Sequence, residues 1–316
     1  MVTATFLLAV VYLLPAGIPS VLGWLTMVLP LPVFYYLTVL GPSRCGILFR
    51  NSLILAASFA LVTQMVYSFL FSLTMAPLGY SLYRSVKNGD DYSVAGLKGL
   101  VVLGVIWGGF WLMVGIGQEI NPYRELLKIL DQAFAQAAQV YVARPDIPVE
   151  TGMQMERAVR MLRETVPVIL PGILSSGLVF IVWLNVVLAN RILYNRVPLP
   201  LQGDRFDAPW PPYSRWRLPE KLVWLVIGAG IAVTVGTGVL RQVGINMLMV
   251  LGLVYFFQGL AIMIYFLEKW AVPRFLKITL YVLLALQSYG LLILVLLGLA
   301  DVWLDIRKLD TTRQAS

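Results

Sequence analysis

The chain has 316 residues, of which 59% are hydrophobic and 13% charged, with a net charge of +8 and no histidine. Soluble domains average roughly 45–50% apolar and about 25% charged residues, so this polypeptide is too apolar to fold alone in water and far too apolar to be disordered. The missing histidine excludes Ser-His-Asp and Cys-His catalysis and His-ligated zinc or haem.

Cys45 is the single cysteine, which rules out an intramolecular disulfide, and there is no GxxxxGK[ST] phosphate loop. Any ATP-driven step belongs to another subunit. No cofactor and no metal site is expected. The positive charge fits basic loops held against anionic lipid headgroups, and nucleic acid is not an expected partner.

No charged residue occurs in 1–43 or 51–83, and further uncharged apolar runs cover 166–190, 222–240, 242–267 and 278–300. About 20 apolar residues cross roughly 30 Å of hydrocarbon. The first stretch, 4–41, holds two short spans broken near Pro15 and Pro19 and kinked at Pro30 and Pro32. It has no basic residue before Arg44, so it is expected to stay as a span and not to act as a cleaved signal. A short loop with Arg44 and Arg50 leads to a third span over 52–73, then to a tail that lies at the interface or re-enters. The polar stretch from Arg84 to Lys98 precedes a glycine-rich fourth span at 99–117.

The character changes over 118–165. Asn121-Pro122 supplies an N-cap and a first-turn proline, and Leu127, Leu130, Phe134, Ala137 and Tyr141 follow at helical spacing. Pro145 and Pro148 break this helix. A second amphipathic helix at 151–165 carries Met155, Val159 and Leu162 on one side and runs into the fifth span. The result is a helical hairpin, packed on the bundle or offered to a partner. The loop 191–221 carries six basic and three acidic residues, and Trp210 and Trp216 are expected to pin it at the interface. Arg191 and Arg196, directly after the fifth span, favour a cytoplasmic position for it. Three more spans follow, at 222–240, 243–267 and 276–300. The expected fold is therefore all-α: a polytopic transmembrane helical bundle of about eight spans forming one membrane domain over 1–316.

Small residues recur every four positions at Gly104 and Gly108, at Gly228, Ala232 and Gly236, and at Ala56 and Ala60. In lipid such ladders let helix backbones approach, within one bundle or against another subunit. The polar residues inside spans are neutral amides, among them Asn246, Gln258 and Gln287. Amides can hydrogen-bond a neutral or zwitterionic ligand, or join helices. These three are the candidate ligand-binding residues, with Gly259 beside Gln258 opening space. No ionisable group sits at mid-span, which argues against an autonomous ion-coupled carrier. Asp301 and Asp305 are four apart at the end of the last span. They form either a solvated helix end or the one carboxylate pair available for acid–base or cation chemistry.

The runs RLPEKLVWL (217–225), NMLMVLGLVYFFQGLAIMIYFLEKW (246–270) and LLGLADVWLDIRKL (296–309) resemble the YybS-like bacterial membrane proteins, a family with a domain of unknown function. The resemblance extends in outline over the whole chain and implies a multi-pass protein of the bacterial cytoplasmic membrane. It also implies a distant likeness to the substrate-binding components of energy-coupling-factor transporters, which rely on separate ATPase and coupling subunits. Two features depart from those components: about eight spans where they usually have six, and Ala4 and Ala9 five apart where a first-span AxxxA motif would stand. The readings open at this point are a solute-binding membrane subunit powered by a separate ATPase and a membrane scaffold working through the hairpin and the basic loop. Enzyme activity is not expected.

Overall fold

The computed structural model describes residues 2–142, 149–194 and 210–309. Among them the regular elements are all helical. They are α1 (Val2–Gly17), α2 (Pro19–Leu22), a 3-10 segment (Gly23–Val28), α3 (Pro30–Val62), α4 (Val66–Leu73), α5 (Ala76–Lys87), α6 (Tyr92–Gly117), α7 (Pro122–Val142), α8 (Val149–Tyr194), α9 (Leu222–Thr234), α10 (Gly238–Lys269), α11 (Arg274–Leu286) and α12 (Ser288–Leu304). They fall into two compact units. Unit one comprises Met1–Trp107, Gly177–Val223 and Gly252–Ser316; unit two comprises Gly108–Ser176 and Trp224–Leu251.

In unit one, α1 packs on α3 and α4, and α3 packs on α5. The chain turns by 104° between α1 and the segment Pro19–Val28. Pro30 has no N–H to give the Met27 carbonyl three residues back. The buried Asn185 amide takes that place, with its Nδ2 donating to Met27 O at 2.6 Å. Tyr12, also buried, donates its hydroxyl to Leu29 O at 3.0 Å. Within α3, Gly41 has φ +75° and ψ 168° ahead of Pro42, so the helix breaks there. Proline drives the preceding residue out of the helical region, and glycine accepts the positive φ.

The loop expected around Arg44 and Arg50 is helical instead. Cys45, Leu48, Ser52, Ala56 and Ala60 are buried at spacings of three and four, while Arg44 and Arg50 are exposed. This is an amphipathic arm, and two charges on its outer side do not interrupt its helical register. The uncertain tail after 73 becomes α5. Its Leu78 and Leu82 are fully buried, and a Cβ at Gly79 would meet the Pro30 carbonyl.

Among the described residues four helices are long and apolar enough to cross a membrane: Pro30–Val62, Tyr92–Gly117, Glu150–Tyr194 and Gly238–Lys269. The number rises to six if the bent pairs Val2–Gly17 with Pro19–Val28, and Arg274–Leu284 with Tyr289–Leu304, each make one span. Sequence patterning suggests about eight, and backbone breaks account for the difference. The runs on either side of the Gly41 break follow each other without a loop in Pro30–Val62, and α9 has only 13 residues, a length of about 20 Å at 1.5 Å per residue. The run 278–300 bends by 103° near Gln287. Between 17% and 44% of the apolar window of each long helix is buried, which leaves most of that surface for lipid.

In unit two the turn from α6 to α7 is tight. A Cβ on Gly115 would stand 3.0 Å from Ile120 O and 3.1 Å from Pro122 Cδ. Asn121 caps α7 as its sequence suggests, its Oδ1 accepting from Arg124 N at 3.1 Å. The second amphipathic helix and the fifth span are one element, the 46-residue α8. That is about 69 Å of helix against roughly 30 Å of hydrocarbon, so its charged first third extends beyond the apolar crossing. Pro171 deprives the Pro167 carbonyl of its helical donor, and Tyr123 of α7 donates to that carbonyl at 3.3 Å. Pro145, Pro148 and Arg196, given roles above, lie outside the described residues, as does the side chain of Tyr141.

Candidate functional site

The most concentrated polar chemistry in unit one is buried. Asp301, near the end of α12, is 1% exposed and Arg307 is 3% exposed. Their carboxylate and guanidinium meet at 2.9 Å. Asp305 adopts a left-handed conformation, φ 37° and ψ 55°, which ends α12 and turns the chain back. The turn lets Ile306 N donate to Asp301 Oδ1 at 3.0 Å. Arg307 Nη1 also donates to Ser214 O at 2.8 Å. Gln258 of α10 completes the cluster. Its Nε2 donates to Asp301 Oδ2 at 3.0 Å, and its Oε1 accepts from Leu218 N at 2.7 Å.

The segment 210–218 is thereby woven into unit one. Trp210 Nε1 donates to Asp90 O at 2.8 Å. Trp216 stacks on Tyr92 at 4.6 Å, and the Tyr92 hydroxyl both donates to Arg217 O and accepts from Arg217 N. The Tyr213 hydroxyl donates to Phe257 O. Trp210 and Trp216 are 1% and 8% exposed, so they are anchored in protein and not at a lipid interface. Burial pushes the Tyr213 phenol above its ordinary range. The helix end is not a solvated one at Asp301. Asp301 is an enclosed ion-pair partner, and Asp305 is a helix-ending residue whose Oδ1 lies 3.7 Å from Arg217 Nη1 and accepts from Leu309 N at 3.2 Å.

The three amides singled out in the sequence have separate fates. Asn246 belongs to unit two. Its Nδ2 donates to Val168 O and to Gln242 O, both at 2.8 Å, and its Oδ1 accepts from Gly172 N. Val168 and Gly172 are the i and i+4 members of one helical step, so the amide bridges the ladder of α8. A Cβ at Gly172 would fall on Asn246. Gln258 is engaged as above, and the room expected beside it at Gly259 is filled by the backbone of Leu294. Gln287 is exposed at the break between α11 and α12. Asn246→Leu should lower thermal stability only modestly, by about 1 kcal/mol, because Gly172 N–H and Val168 C=O can bond each other once the amide is gone. Thermal unfolding in detergent measures this.

The small-residue ladders also divide. Ala232 is used, since a Cβ on Gly244 of α10 would stand 3.0 Å from the Ala232 Cβ and 2.9 Å from Ala229 O. Gly236 is crowded by the Ala232 carbonyl of its own turn. Nothing lies within 4 Å of a Cβ at Gly104, Gly108 or Gly228. Among the described glycines the tightest approach to another helix is one that spacing did not single out. Gly259 of α10 faces the Leu294 carbonyl of α12, and Gly298 of α12 faces the Tyr255 carbonyl of α10.

Unit two holds a groove of about 340 Å³ between α7 and α8, lined by Leu127, Leu130, Phe134, Val166 and Pro167 with Lys128, Asp131 and Arg163. Arg163 grips both carboxylate oxygens of Asp131, through Nε and through Nη2. That hydrogen bonding holds the Asp131 carboxyl below its ordinary range. A carboxylate lowered on folding contributes stability above its unfolded pKa, about 3.9, and loses it as pH falls through the lower folded value. Protection of the α7 amides, taken as the observed exchange rate against the intrinsic rate at each pH, should fall on acidification below about pH 4, and Asp131→Asn should remove that step.

The family model described as Predicted membrane protein (DUF2232) matches residues 1–302. The chain belongs to that family. No curated protein and no solved structure matches it. Membership agrees with the resemblance carried by residues 217–309. For this DUF2232 chain, membrane character rests on both the family and the long apolar helices.

Proposed function

We propose that this DUF2232 protein is a non-enzymatic subunit of a bacterial cytoplasmic-membrane assembly, and that the α7–α8 hairpin is its docking element. One observation carries the reading. The hairpin bears charges on the first half of α7 (Arg124, Glu125, Lys128 and Asp131) and along α8 from Glu150 to Glu164, as a water-facing element does, yet it leaves Ile129 55%, Val140 60%, Met153 51% and Met161 67% exposed. Exposed large apolar side chains on lipid-facing spans need no protein partner; on a charged hairpin they fit a protein surface.

Two of the three amides that could hold a solute, Asn246 and Gln258, are engaged within the chain. That favours a role exercised through another protein. The distant likeness to energy-coupling-factor components, together with the missing phosphate loop, makes a transporter coupling subunit and its ATPase the partner class to test first. ATPase activity should co-purify with the full chain in mild detergent and fall sharply with Ile129→Asp plus Met161→Asp. No co-purifying ATPase, or one indifferent to these changes, would count against the reading.

A further inference from the structure

The groove between α7 and α8 has features that the docking reading does not use. It stands at the boundary of the apolar crossing on both sides. α7 leaves α6 through the tight turn at Gly115–Pro122, and Tyr123 bonds Pro167 next to where the apolar stretch of α8 begins. One wall is an apolar stripe: Leu127, Leu130 and Phe134, facing Val166 and Pro167. Its charged lining is Lys128, Asp131 and Arg163, a net of one positive charge.

Asp131 holds Arg163 by Nε and Nη2, which fixes the guanidinium and leaves Nη1 without a hydrogen bond among the described residues. Lys128 has only a 3.5 Å contact with Glu125, and its side chain is 63% exposed. Two cationic donors with capacity to spare therefore border an apolar trough next to the start of the apolar stretch of α8.

We propose that this groove is a binding site for an anionic phospholipid, with the phosphodiester on Lys128 and Arg163 Nη1 and an acyl chain along Leu127, Leu130 and Phe134. A monoanionic phosphate matches the net charge of the lining, and a guanidinium already oriented by a carboxylate binds phosphate with little further ordering. Lipid is the molecule always present where an apolar crossing begins. The site is independent of the docking reading, which uses Ile129, Val140, Met153 and Met161.

The test is native mass spectrometry of the full chain with phosphatidylglycerol and phosphatidylcholine in competition, each variant first checked for a monodisperse elution profile. The wild type should prefer phosphatidylglycerol, and Lys128→Gln should reduce that preference about five-fold. Lys87→Gln, the same charge change on α5, should leave it unaltered. Phe134→Trp, which fills the trough and keeps every charge, should reduce retention of both lipids. Equal retention of the two lipids by the wild type, or an unaltered preference in Lys128→Gln, overturns the proposal. So does a co-purifying protein that is lost with Phe134→Trp while bound lipid is unchanged, because the groove would then belong to a protein partner.

Discussion

Arg307→Met should destabilise the protein by about 3–5 kcal/mol, the usual consequence of removing one member of a buried ion pair. The cause is the group left behind. Asp301 is 1% exposed, and without Arg307 its carboxylate keeps, among the described residues, only the Ile306 N–H and the Gln258 amide as donors. The same change frees the Ser214 carbonyl, which Arg307 also holds. Adding Asp301→Asn should recover a large part of the loss, because a neutral amide costs far less to bury than an unpaired charge. Thermal unfolding of the single and double variants in one detergent reads the difference. If Arg307→Met proved as mild as a surface substitution, the pair would be reached by water and the description of an enclosed cluster would be wrong.

Gly259→Val should cost about 3 kcal/mol, the upper end of overpacking penalties. Its Cβ would be driven onto the Leu294 carbonyl, and backbone cannot rotate away as a side-chain tip can. Gly298 faces the Tyr255 carbonyl in the same crossing, so the two glycines let α10 and α12 touch backbone to backbone. Gly108→Val is the matched control. Nothing lies within 4 Å of a Cβ there, and the change should stay within about 0.5 kcal/mol. Melting temperatures of the two variants in one detergent make the comparison. Equal losses would mean that glycine matters in these helices only through backbone entropy.

Composition and charge spacing were enough to read a helical membrane protein, because about 20 uncharged apolar residues in a row have few other uses. The amphipathic character of 118–165 and the Asn121 cap were legible for the same local reason. The span count was not, because it depends on where the backbone breaks. The sequence 222–240 reads as one crossing, yet α9 ends at Thr234. Gly41-Pro42 breaks a helix that the two arginines after it do not.

The buried cluster was hidden for a different reason. Gln258, Asp301, Arg307, Ser214 and Leu218 come from three stretches of the chain, and their partnership is tertiary. The signal available was an unusual density of aromatics in PWPPYSRWR (209–217), which marks a packed segment as readily as an interfacial one. Asn246, Gln258 and Gln287 stand out in the sequence as candidate ligand-binding amides, and in the structure the first two bond within the chain while Gln287 is exposed. Sequence alone does not say whether the partner is a solute or a backbone carbonyl. For Asn246 it is the ladder of α8, and for Gln258 it is Asp301 and Leu218.

We propose that the working surface of this membrane protein is the α7–α8 hairpin and not an amide-lined cavity. Photo-cross-linking in native membranes, with the reactive residue placed in turn at Ile129 and at Gln287, tests it most directly. A discrete protein adduct of constant mass is expected from Ile129 and none from Gln287. A discrete adduct confined to Gln287, with Ile129 silent, would contradict it.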